Sequence, residues 1–212
     1  MFFVAAGKPG LGFWLSIAGG VTNMVLDYVL IAVIPLGVAT AAVILSAQTI
    51  LSASYGGYIY GISSVISYHY GAANYNELRK LYRVALKTIA VMSVITFVLA
   101  FPAAKPIARL FANVSAAVTE MSVRGMFIFA AAFLLMGFNL FASGFFTALN
   151  DGKTSAILSL FRTLIFLMIP LLFLPGLLGV DGVWLSMPAA EVLSILLSIY
   201  YFRHFKGKYN YA

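Results

Sequence analysis

GMFIFAAAFLLMGFNLFASGFFTAL, residues 125–149, runs for 25 positions without a charged side chain. About 20 apolar residues rising 1.5 Å each carry a helix across a hydrocarbon core of roughly 30 Å. A membrane-spanning strand would alternate polar and apolar positions over about ten residues. This run does not alternate: its polar residues Asn139, Ser143 and Thr147, followed by Asn150, recur at spacings of four, four and three, one face of a helix. Every backbone N–H and C=O must be satisfied inside the bilayer, so a helix is the spanning form that remains.

Outward from this run, five further stretches read the same way: Leu11 to Ile34, Val38 to Tyr68, Val84 to Phe101, Thr154 to Leu178 and Val183 to Phe202. The predicted fold class is all-α, a polytopic membrane helical bundle of about six transmembrane helices. The second stretch is too long for one straight crossing. Its polar, aromatic tail (Ser63, Ser64, Ser67, Tyr68, His69 and Tyr70) is predicted to leave the hydrocarbon and sit at an interface. Hydrophobic residues make up 63% of the chain and charged ones 9%, against roughly a quarter charged in a soluble domain, so a water-exposed surface cannot be built. The chain has no cysteine, which excludes disulfides and thiol chemistry. It starts inside apolar sequence at Met1, Phe2 and Phe3, with no separable signal peptide.

The formal charge of +7 is distributed by topology. With the N-terminus on side A, six crossings put Lys8, Arg79, Lys80, Arg83, Lys87, Lys153, Arg203, Lys206 and Lys208 on that side. Lys105, Arg109 and Arg124 fall on side B, and Arg162 lies within a span. This bias predicts a multi-pass protein of the plasma (inner) membrane with both termini cytoplasmic. The basic residues flank spans and have no stacking platform among them, which argues against nucleic acid as a partner.

The chain also resembles itself. Phe2, Phe3, Ala5, Gly7 and Lys8 recur as Phe145, Phe146, Ala148, Gly152 and Lys153, and each copy closes on Leu-Gly-Val, at Leu36–Val38 and Leu178–Val180. Both lysines fall on side A, so the copies cross in the same direction, as in transporters built from parallel repeats. The second Phe-Phe pair ends a complete span, whereas the first has none before it. The economical expectation is that an N-terminal part of a larger protein is absent.

Ile66-Ser67-Tyr68-His69-Tyr70-Gly71-Ala72, Asn74 and the basic stretch Glu77 to Arg83 resemble the multidrug and toxic compound extrusion (MATE) family of bacterial antiporters. Asn23, Leu26 and Asp27, Gly137-Phe138-Asn139, Thr147 to Lys153, Gly182-Val183-Trp184 and Pro188-Ala189-Ala190-Glu191 extend the resemblance over nearly the whole chain. It implies twelve spans in two six-helix lobes around a central cavity, exchanging Na+ or H+ for organic cations. On that plan Leu11 to Ile34 is similar to the fifth span and Val38 onward to the eighth through twelfth. Residues 1–40 then represent a remnant of the first lobe, and 41–212 most of the second. A join near Pro35 to Ala42 removes an even number of crossings and keeps later loops on their proper sides. The expected function is an ion-coupled multidrug antiporter, truncated and inactive alone, with self-association or a missing-lobe partner as ways to complete it.

Asp27 is the sharpest site candidate. An acid within a span costs roughly 2.5–3.5 kcal/mol on insertion scales, and Ser16, Gly20, Asn23 and Asp27 form one small, polar helical face. The face looks into a cavity or a partner helix, and structural hydrogen bonding stays open beside function. The resemblance implies cation coupling at Asp27, with Asn23 beside it.

Arg162 and Glu191 are the other intramembrane charges. Counted from opposite membrane sides, their depths differ by roughly 6 Å, which a long arginine can bridge. A structural ion pair is the favoured reading; substrate or proton handling, or a snorkelling Arg162 beside a protonated Glu191, remain open. The stripe with Asn139 and Ser143 reads as interhelical hydrogen bonding or a substrate site. Gln48, Ser52 and Tyr55 repeat it more weakly, and Gly57 and Gly61 supply a small-x-x-x-small step. Pro170, Pro175 and Pro188 can kink the last two spans. Tyr200, Tyr201, Phe202 and Tyr209 read as interfacial anchors.

Catalytic signatures are lacking. Gly152-Lys153-Thr154 resembles the end of a phosphate loop, but Thr147 occupies the required glycine position. His69 and His204 have no cysteine or close acidic group, so no metal site is expected. No catalytic residues are assigned, and no cofactor is implied beyond Na+ or H+ as coupling ion. A lipid or oligosaccharide flippase of similar build and an intramembrane lipid-modifying enzyme are the competing readings. The flippase should carry more basic residues facing its cavity, where Arg162 alone qualifies.

Overall fold

A computed structural model describes residues 37–111 and 116–212. Asn23 and Asp27, the span Leu11 to Ile34 and the first copy of the repeat up to Leu36 lie outside the described residues. The described residues are almost wholly helical: α1 (Gly37–Gly71), α2 (Tyr75–Phe111), α3 (Ala116–Ala148), α4 (Gly152–Leu160), a widened π turn (Phe161–Ile165), α5 (Phe166–Leu178) and α6 (Val180–Tyr209). Among the described residues, four helical stretches are long and apolar enough to cross a membrane: Tyr75–Ile107, Thr119–Ala148, Gly152–Leu178 and Val180–Tyr209. They cover the last four predicted spans apart from Leu149, and each starts earlier than its prediction. The second predicted span lies in α1, whose polar tail remains helical as far as Gly71.

Local chemistry sets the boundaries. Between α1 and α2, Ala73 adopts a left-handed φ of 51°, and the Asn74 side chain accepts the N–H of Glu77 at 3.3 Å. α3 ends as Asn150 turns left-handed (φ 60°), and Asp151 caps α4 by accepting both the N–H and the hydroxyl of Thr154. Asn150 therefore leaves the helical stripe on which its spacing placed it. α5 and α6 are separated by Gly179 alone, at φ 60° and ψ −135°, a conformation that favours glycine. Three residues on, a Cβ at Gly182 would stand 2.2 Å from the Leu174 carbonyl oxygen. The tight α5–α6 hairpin depends on both glycines.

α3 is the central helix, packed against α1, α2 and α6. Glycines on α3 admit its neighbours: a Cβ at Gly137 would meet the Tyr55 ring at 2.6 Å, and one at Gly144 would meet Ile59 Cγ2 at 2.3 Å. Gly57 and Gly61, the step singled out in the sequence, have open space above them. Helix approach in membranes rests on small residues at the contact, and here the contact lies on the partner helix.

The side-A end of the core is aromatic. Tyr82, Phe145, Phe202 and Tyr211 converge with ring centroids 4.9–6.0 Å apart. Tyr211 is buried and donates its hydroxyl to the Phe202 carbonyl at 2.6 Å, while Arg79 Nε holds the Asn210 carbonyl at 3.1 Å. Tyr209, read from the sequence as an interfacial anchor, is also buried, with its hydroxyl 2.7 Å from Asp151. The chain beyond α6 folds inward because its two tyrosines have rings to pack on and acceptors to reach.

Candidate functional site

Two polar features stand out in this apolar bundle: a buried network joining α3, the π turn and α6, and the outer face of α1.

The network centres on Glu191, which is 1% exposed. Arg162 Nη2 lies 2.7 Å from Glu191 Oε1, and its Nε reaches both carboxylate oxygens at 3.0 and 3.3 Å. Asn139 Nδ2 donates to Glu191 Oε2 at 2.6 Å and to the Glu191 backbone carbonyl at 3.0 Å; its Oδ1 accepts from Ser198 at 3.0 Å. A charge taken into the interior needs both a counter-charge and its remaining hydrogen bonds, and this carboxylate has both. Arg162 is delivered by the π turn, closed by an N–H of Phe166 donating to the carbonyl of Phe161. The downstream Pro170 has no N–H to offer the last α-helical turn.

One turn towards side A, the α3 stripe continues as a hydroxyl ladder. Ser143 lies 3.1 Å from Ser155 Oγ and 2.6 Å from Ser159 Oγ, and Thr147 lies 2.7 Å from Ser155 Oγ. Asn139, Ser143 and Thr147 thus meet partners on α4 and α6. Ser155, Ser159 and Ser198 escaped the sequence reading. Their signal was present, since Ser155 and Ser159 are four apart and Ser198 follows Glu191 by seven, one face in each helix.

On α1, Tyr55 is fully buried and its hydroxyl meets Ser93 and Thr96 of α2 at 3.3 and 3.0 Å; Ser52 approaches Met136 Sδ at 3.6 Å. Gln48 is half-buried. The opposite side of α1 exposes Ala53, Gly57, Tyr60, Gly61, Ser64 and Tyr68. α1 also exposes Ile50 and Val65, and the mid-span exposed residues of the other helices are mostly aliphatic or aromatic: Val91, Val94 and Val98 on α2, Leu172, Phe173 and Leu177 on α5, Val192 and Leu196 on α6. A face of glycine, serine and tyrosine hydroxyl suits water or protein, whereas the other faces suit lipid.

At side A, burial by itself would raise the Asp151 carboxyl. Hydrogen bonds from Tyr209 and from the backbone and hydroxyl of Thr154, with Lys208 nearby, outweigh burial and hold it below its ordinary value. At side B, Arg124 pairs with Asp181 and ties the start of α3 to that of α6. Among the described residues no group of three or more metal-ligating side chains converges.

A family model described as MatE matches residues 34–174. Among solved structures, an outward-facing multidrug resistance MATE family transporter of the MOP superfamily aligns with a TM-score of 0.86 at 19% identity, covering 97% of this chain and 46% of the other. The Vibrio cholerae MATE transporter VcmN in its bent form gives 0.82 at 15% identity, covering 93% and 46%. The MATE multidrug transporter DinF-BH gives 0.71 at 27% identity, covering 78% and 36%. The chain thus spans about half the length of the solved transporters it resembles. No match was found among curated proteins.

Proposed function

Because the chain belongs to the MatE (multidrug and toxic compound extrusion) family, we propose that residues 41–212 form most of the second lobe of an ion-coupled antiporter that exports organic cations, with residues 1–40 contributing one span of the first. The observation that carries this reading is the outer face of α1. Its small and hydroxyl-bearing side chains, with Ile50 and Val65 among them, suit close contact with water or another helix, and they would supply the wall a second lobe needs to enclose a water-filled path. Na+ or H+ would bind at Asp27, beside Asn23, and bias the lobes towards one orientation. The protein resides in the inner membrane with both termini cytoplasmic, following the basic bias of side A. Transport requires a second lobe against α1.

The Arg162–Glu191 pair supports a cationic cargo over the anionic headgroup of a flippase, because the guanidinium within the lobe is already neutralised. The network itself holds α3, the π turn and α6 together, and the lobe then moves as a unit.

Accessibility tests the reading. In cells with the assembled transporter, single cysteines at Gly57 and Ser64 should react with a hydrophilic thiol reagent and be protected by ethidium, while cysteines at Val91 and Val94 should stay unreactive. Equal unreactivity at all four positions would place the α1 face in lipid and remove the basis for the path.

A further inference from the structure

The side of α2 turned away from α1 and α3 carries Arg83, Lys87, Val91, Val94, Val98 and Lys105, at spacings of four, four, three, four and seven, all exposed. These positions form a single helical face. Lys87 and Lys105 are 18 residues apart, about 27 Å along the axis, close to the roughly 30 Å of a hydrocarbon core. The aliphatic stretch between them therefore spans the lipid tails, and each lysine sits at a boundary. Arg83 lies one further turn out, about 6 Å beyond Lys87, at the level of lipid phosphates.

The other cations at this end of α2 are committed. Lys80 is paired with Glu77 at 2.7 Å, and Arg79 is held by the Asn210 carbonyl. Among the described residues the ion pairs are Lys80–Glu77, Arg124–Asp181 and Arg162–Glu191, and none includes Arg83 or Lys87. We propose that Arg83 and Lys87 form a binding site for an anionic phospholipid of the side-A leaflet, its phosphate held between guanidinium and ammonium and its acyl chains lying along Val91, Val94 and Val98. The arginine supplies a planar donor fork to the phosphate oxygens, and the lysine, one turn deeper, reaches up along its own methylenes. A zwitterionic lipid presents a compensating ammonium to the same two cations and is held less well. Of the positions on this face, Lys105 alone offers a charge to the opposite leaflet, which makes the preference one-sided.

The test uses the full chain purified in detergent, titrated separately with phosphatidylglycerol and phosphatidylcholine and read by native mass spectrometry. Phosphatidylglycerol should bind more tightly than phosphatidylcholine. Arg83→Gln with Lys87→Gln should weaken phosphatidylglycerol by about 30-fold, from roughly 5-fold per cation near a lipid surface, and weaken phosphatidylcholine far less, so that the preference is lost. A control with the same charge loss on α6, Arg203→Gln with Lys206→Gln, should weaken it by less than about 3-fold. The charge-preserving exchange Arg83→Lys with Lys87→Arg should keep the preference and guards against a folding defect in the first variant. Equal affinity for the two lipids, an equal loss in the α6 control, or a loss below twofold in the α2 variant would each overturn the site.

Discussion

Replacing Glu191 with glutamine keeps the shape of the side chain and removes the counter-charge of Arg162. At 2.7 Å and an effective dielectric near 20 the lost attraction is about 6 kcal/mol before desolvation is counted. Glutamine also presents an amide nitrogen or a neutral oxygen to Asn139 Nδ2, where the carboxylate oxygen now accepts at 2.6 Å. Removing one partner of a buried pair typically costs about 3–5 kcal/mol, because the remaining charge stays buried and unpaired. At roughly 2–4 °C per kcal/mol for a chain of this size, the melting temperature should fall on the order of 10 °C. Replacing both residues, Arg162→Met with Glu191→Leu, strands no charge and should recover most of that loss. The assay is thermal unfolding of the purified chain in detergent, followed by tryptophan emission, to which Trp184, buried on α6, contributes. A single variant melting within about 1 °C of the parent, or a double variant no more stable than the single, would refute the reading of the pair as a brace.

Gly144→Val should push α1 off α3 and destabilise by about 1–3 kcal/mol, while Gly57→Ala, with open space around it, should melt like the parent. Asp151 has a lowered carboxyl, so its stabilising effect is complete above its ordinary value of 3.8 and is lost as pH falls through the lowered one. Tyr209→Phe removes one lowering hydrogen bond and should cost about 1 kcal/mol or less at neutral pH, since the carboxylate is partly exposed, and raise the pH of acid unfolding. Because the chain is free of cysteine, single cysteines at Asn76, Val114 and Gly207 report topology: only Val114 should label from outside cells, and labelling at either other position would reverse the orientation. In an assembled transporter Asp27→Asn should spare expression and reduce ion-gradient-driven dye efflux in vesicles, and unchanged efflux would leave Asp27 a structural acid.

The helical bundle was legible because a spanning segment advertises itself by length and apolarity alone. That Arg162 can reach Glu191 is readable for a related reason: in a membrane, depth is fixed by counting residues from each end, and two charges at similar depth have few alternatives. Lateral position carries no such signal. Gly57 and Gly61 look as suitable for a close contact as Gly137 and Gly144, and only the tertiary arrangement decides that Tyr55 and Ile59 press on the second pair. Tyr209 and Tyr211 have the composition of interfacial aromatics, and their burial depends on Tyr82, Phe145 and Phe146 lying opposite. The π turn leaves no pattern of its own, since residues 161–165 read as ordinary apolar helix with one arginine.

The widened turn at Phe161–Ile165 also sets a phase. Its extra residue offsets everything downstream by about 100° from an uninterrupted α-helix. Arg162, paired with Glu191, lies in this turn, and the exposed Leu172, Phe173 and Leu177 lie beyond the offset. A one-residue deletion in this window would restore a regular helix and force a choice: either the guanidinium turns away from Glu191, or the apolar side of α5 rotates off the bilayer. Many residues could fill these five positions, but the number of positions cannot change without misaligning one end of the helix.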